Sequence, residues 1–135
     1  MPTTGYTGYI GTAASSGSDA VSCTDSSGFD HKDIVAFSVS NLSGIVDQQN
    51  SNYGTTSPST SGAVTITHAN ELLISTISLA PSQATANSPW VTPSGAGSAT
   101  WTVFEYQIVT STSSYNSSFA VTGGGLWYNA IATLY

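Results

Sequence analysis

The chain has 135 residues, enough for one domain with a real core and no covalent staples. One Lys or Arg stands against seven Asp and Glu, a formal charge of −6. That balance argues against nucleic acid and anionic membrane surfaces as partners, since both are gripped through several basic side chains. Ser and Thr make up roughly a third of the sequence, yet Trp, Tyr, Phe, Val and Ile recur often enough to argue against disorder.

At the front, "MPTTGYTGYIG" has neither a basic start nor a long apolar core, so no signal peptide is expected. No apolar run approaches the roughly 20 residues of a membrane helix. An outside position is then reached by another route. One is assembly onto a virus particle released by lysis; another is excision from a larger secreted protein. Cys23 is the single cysteine; it cannot form an internal disulfide and reads as a buried thiol. Residues 1–30 read as a shortened, loop-rich part of a single domain spanning 1–135.

"FDHKD" (29–33) brings Asp30, His31 and Asp33 together, with Asp25 close in sequence. A metal centre needs three or four convergent ligands, and Lys32 opposes a cation, so a solvated turn is expected and no metal ligand is assigned. A strand is expected over 33–40, where Val35, Phe37 and Val39 alternate with Ile34, Ala36 and Ser38. The stretch 48–62, rich in Asn, Ser, Thr and Gly, reads as a long surface loop. Val64, Ile66 and His68 then share one strand face. In "ELLISTISL" Leu73, Ile77 and Leu79 oppose Leu72 and Ile74. The stretch 80–99 reads as a second long loop. In "ATWTVFEYQIV" Phe104, Tyr106 and Ile108 oppose Trp101, Val103 and Val109, with Glu105 on the latter face. "SSFAV" and "LWYNAIATLY" close the chain; the last is apolar on both faces, the mark of a central strand. No segment keeps a 3.6-residue period for three turns, so no helix is expected. The fold class is all-β: an antiparallel, jelly-roll-like sandwich with long end loops.

No residue is assigned a catalytic role. His68 lies close to Glu71, but a catalytic base also needs a nucleophile and an orienting acid, and no G-x-S-x-G elbow marks out a serine. Glu71 and Glu105 qualify as a glycosidase acid pair only if both face one cleft. Asn41 and Asn116 begin glycosylation sequons of the kind that arise by chance in so hydroxyl-rich a chain. Among the aromatics, Trp101 and Trp127 fall in strands and are expected in the core. Tyr6, Tyr9, Tyr53 and Tyr115 lie in polar surroundings, and Trp90 in a Pro-flanked loop. Trp90 and Tyr53 are the expected contact residues, for a sugar ring or a protein partner.

"AFSVSNLSGIVDQ", "ANELLISTISL" and "FEYQIVTSTSSYNSSFAV", followed by an aromatic strand with Trp127, resemble a jelly-roll module. Such modules recur in structural proteins of tailed phages and in secreted bacterial surface proteins. The resemblance covers residues 36–135, and the family's longer N-terminal half is reduced here to about thirty residues. It implies a structural or binding module with no catalytic residues and no cofactor. With the small size, scarce Lys and Arg and missing export signal, the expectation is a non-enzymatic capsid decoration (cement) protein on the virion surface. Its partners would be the major capsid protein or other particle subunits and its own copies, trimer before dimer, with a neighbouring subunit completing the shortened front. The alternative is an extracellular carbohydrate-binding or adhesive module.

Overall fold

A computed structural model describes residues 38–80, 83–94 and 102–135, together with Ala20, Ser22 and Ala36. The expectations for "FDHKD", Asp25, Cys23, Tyr6, Tyr9 and Trp101 fall outside the described residues. Seven strands are formed: β1 (Val46–Gly54), β2 (Ser59–Thr65), β3 (Glu71–Ala80), β4 (Gln83–Ala86), β5 (Thr102–Val109), β6 (Ser114–Thr122) and β7 (Leu126–Leu134). They pair antiparallel into a four-stranded sheet, β1-β7-β3-β5, and a three-stranded sheet, β2-β6-β4. The protein is an all-β antiparallel sandwich, with no helix among the described residues. Each successive strand changes sheets, so every connection crosses an end or an edge of the sandwich.

The expected alternation holds in the three strands at the centre of the larger sheet and its far edge. Leu73, Ile77 and Leu79 of β3, Val103 and Val109 of β5, and Trp127 and Ile131 of β7 are all buried. β7 lies between β1 and β3 and pairs along its whole length with β3, as its two apolar faces require. The inward residues form two apolar clusters. One contains Val64, Ile66, Leu73, Trp90, Val109 and Ile131; the other Ile77, Leu79, Val103, Phe119, Val121 and Trp127. Each large side chain so buried contributes about 1.5 to 3 kcal/mol.

Three expectations are corrected. The stretch 48–62 is not one loop but holds most of β1 and the start of β2. β1, VDQQNSNYG, is an edge strand exposed or half-buried throughout, so it carries no apolar period and is ordered by pairing with β7. β2 conceals itself differently, because its first inward residues, Ser59 and Ser61, are fully buried hydroxyls. The stretch 80–99 holds the short strand β4 and a bridge from Val91 to Tyr106. Finally, of the strand expected over 33–40, Ala36 and residues 38–40 are not in a strand, and residues 33–35 and 37 lie outside the described residues.

One side of the sandwich is closed by contacts between the edge strands β1 and β2. Asn50 Nδ2 donates to the Ala63 carbonyl at 2.9 Å, opposite a bulge in β2 between Thr60 and Ala63. Gly62 sits in that bulge at φ +79°, and a Cβ there would lie 2.8 Å from Asn50 Nδ2. Both the backbone angle and the close approach demand glycine.

Candidate functional site

Three features outside the apolar clusters carry chemistry. The first is a corner where β1, the β2–β3 turn, β3 and the end of β7 meet. The β1–β7 register slips between Val46 and Gln49, and at this bulge Gln48 N donates to Thr133 Oγ1 at 3.1 Å instead of to a ladder carbonyl. The slip brings Asp47 to the turn. Its Oδ2 accepts from Thr67 N at 2.6 Å and its Oδ1 from Thr67 Oγ1 at 2.7 Å. These two bonds hold the Asp47 carboxyl below its ordinary pKa. The turn itself requires Asn70 at φ 62°, a left-handed conformation Asn tolerates. His68 N donates to Glu71 Oε1 at 3.2 Å. The His68 ring stacks on Tyr135, centroids 3.7 Å apart and planes 15° apart. His68 Nδ1 lies 3.7 Å from Asp47 Oδ1 and 3.8 Å from Glu71 Oε1. Among the described residues these three form a cluster of metal-ligating groups, their ligand atoms within 4.8 Å of one another.

The second feature is a polar band across the middle of the core, between the two apolar clusters. Ser117 Oγ of β6 donates to Glu105 Oε1 of β5 at 2.7 Å and lies 3.1 Å from Asn129 Oδ1 of β7. Ser75 of β3 hydrogen-bonds Ser117 and Asn129. Asn129 Nδ2 donates to Ser59 Oγ at 3.2 Å, and Ser61 Oγ accepts from Ser117 N at 3.0 Å. All six side chains are buried. Burial pushes the Glu105 pKa up to about 8 against the weaker, opposing pull of its hydrogen bonds, so the carboxyl is neutral at pH 7. This network joins both sheets, and all of its side chains are shielded from solvent. Glu71 and Glu105 do not share a cleft. Glu71 pairs with Val109 and Glu105 with Ser75, a separation of four residues, or about 13 Å along the strands, beyond the roughly 5 to 9.5 Å of a glycosidase pair.

The third feature is the outer face of the four-stranded sheet. The register aligns Tyr53, Tyr128, Ser78 and Thr102 in one row, Ser51, Ala130, Thr76 and Phe104 in the next, and Gln49, Ala132, Ile74 and Tyr106 in a third. No strand position on this face carries a charged residue. The described carboxylates lie elsewhere: Glu71 and Glu105 point inward and Asp47 sits at the corner. Tyr53 is 71% exposed and Ile108, on the far edge, 69%.

Of the two expected contact residues, the structure keeps one at the surface. Tyr53 stands out from β1, whereas Trp90 is 8% exposed and packs in the core. A backbone bond from Trp90 N to Asn87 O at 3.0 Å turns the chain inward, and the indole Nε1 donates to Asn116 O at 3.3 Å. Trp127 is buried as expected, its Nε1 donating to Thr56 O at 2.6 Å. The Asp47–His68–Glu71 cluster was only half legible in sequence. His68 and Glu71 are three residues apart, but nothing local to Asp47 links it to a turn twenty residues away. Compared with known protein families, with curated proteins and with solved structures, the chain matches none.

Proposed function

We propose that this chain is a non-enzymatic structural protein of a particle surface, most concretely a capsid decoration protein of a tailed phage. It works by contact rather than turnover, bridging the major capsid protein or other particle subunits. The observation that carries this reading is the uncharged outer face of the β1-β7-β3-β5 sheet. Charge is depleted, and aromatic residues are enriched, at the centres of protein interfaces. Here Tyr53, Tyr128, Phe104 and Tyr106 are interleaved with Ile74, Ala130 and Ala132. Aromatic, aliphatic and uncharged polar side chains (Ser51, Thr76, Ser78, Thr102 and Gln49) mixed on one face suit a protein partner.

The winding supports the jelly-roll reading. A jelly roll has eight strands in two sheets wound as two Greek keys; seven are described here, in the orders β1-β7-β3-β5 and β2-β6-β4. The second reading, a carbohydrate-binding or adhesive module, is favoured by the exposure of Tyr53. Affinity electrophoresis through gels containing soluble polysaccharides separates the two. The structural reading predicts unchanged mobility for the wild-type chain and for Tyr53→Ala. Retardation by a polysaccharide that Tyr53→Ala abolishes would replace it with the carbohydrate reading.

A further inference from the structure

We infer that Asp47, His68 and Glu71 form a binding site for one divalent transition-metal ion of the zinc class. The donor set is one imidazole nitrogen and two carboxylate oxygens, a combination zinc accepts at about 2.0 to 2.2 Å. Around a tetrahedral ion with such bonds the ligand atoms stand about 3.3 Å apart. The observed 3.7 and 3.8 Å from His68 Nδ1 to the two carboxylates need only a small contraction.

A separate observation points to a ligand. The Glu71 side chain is 0% exposed, its Oε2 has no N–H or O–H donor among the described residues, and its carboxyl lies within hydrogen-bond reach of Asp47. A buried carboxyl with an oxygen that no donor reaches is costly, and a cation held jointly by Glu71 and the neighbouring Asp47 carboxyl offsets that cost. The other groups are already held in place. Thr67 fixes both oxygens of Asp47, the His68 amide fixes Glu71 Oε1, and Tyr135 fixes the plane of the imidazole. Such outer contacts orient metal ligands in established sites. His68 Nδ1 also lies 3.0 Å from Thr67 Oγ1, so metal binding places the ring proton on Nε2 and leaves Thr67 donating to Asp47. His68 is 46% exposed, which gives the ion a path in and a remaining position for water. The imidazole favours a borderline-soft ion over calcium, which prefers oxygen alone. The ion would clip the bulge of β1 to the β2–β3 turn and the start of β3.

The test is calorimetric titration of the full chain, stripped with chelator, with ZnCl2 and in parallel with CaCl2. The expected result is one equivalent of Zn2+, a melting temperature that rises with Zn2+ concentration, and calcium at least about tenfold weaker. His68→Ala, at an exposed position, and Glu71→Gln should each weaken zinc by about 100-fold or more, whereas His31→Ala should leave it unchanged. Circular dichroism of the metal-free variants establishes that each is folded. Absence of zinc binding up to millimolar concentration would overturn the site. So would binding that survives either substitution in the cluster, binding lost in His31→Ala, or calcium bound as tightly as zinc.

Discussion

Glu105 is the residue whose environment is most at odds with its chemistry. It is fully buried, its carboxyl is hydrogen-bonded by Ser117 Oγ and by the Ser118 backbone, and its Oε2 has no close donor among the described residues. Because burial raises its pKa from 4.5 to about 8, the folded state binds a proton there that the unfolded chain has released. Its contribution to stability is therefore complete below about pH 4.5 and declines as pH rises towards 8. Glu105→Gln keeps the shape of the protonated acid and cannot ionise. Urea unfolding at pH 5 and pH 9 should find the variant close to wild type at the lower pH. At the higher pH it should gain on wild type by on the order of 3 kcal/mol. An equal offset at both values would mean that the carboxylate is accommodated charged. Asp47 behaves oppositely. Its pKa is lowered by Thr67, so the stability it lends is present above pH 3.8 and is lost as pH falls below that value.

At the scale of elements, β7 organises the larger sheet. It pairs with β1 on one side and β3 on the other, and Trp127, Asn129, Ile131 and Thr133 all point inward. A domain's total stability is only about 5 to 15 kcal/mol, and removing residues 126–135 deletes several large buried groups together. That truncation should abolish the cooperative melt seen by circular dichroism. A finer probe is Gly54, where an added Cβ would lie 2.7 Å from Trp127 Cζ2. The indole is pinned by its bond to Thr56 and cannot turn aside. Gly54→Ala should cost about 1 to 3 kcal/mol in denaturant unfolding; an unchanged midpoint would show that the ring has room to move.

The same elements explain what the sequence reveals and what it hides. β3, β5 and β7 are legible because their inward residues include Leu73, Ile77, Val103 and Ile131, which stand out at a period of two. β1 and the first turns of β2 are hidden because an edge strand with both faces wet, and an inward face built of Ser59 and Ser61, have no apolar signature. Trp90 is hidden for the opposite reason. Its sequence neighbours are those of a surface loop, and only a tertiary bond to Asn116 reveals that the indole turns inward. The polar band escapes notice as well, since Ser75, Ser117 and Asn129 read as ordinary strand polars until both sheets are in place.

For the whole molecule, we propose that the uncharged outer sheet face is an assembly surface. Its free edges are few. β1 is tied to β2 by Asn50, β4 has four residues, and Val91 pairs with Tyr106 on β5 through bonds of 3.0 and 2.8 Å. Contact by face is therefore better supported than contact by edge. We propose that this face is buried in a symmetric oligomer, trimer before dimer, and against a particle. Tyr53→Asp and Ile108→Asp place charge at its two exposed margins, where folding tolerates it and an interface does not. The most direct measurement is molar mass by light scattering on the purified chain at micromolar concentration, wild type beside the double variant. The proposal predicts an oligomeric mass for wild type and a shift towards monomer in the double variant. A monodisperse wild-type monomer, or an oligomer indifferent to both charges, would contradict it.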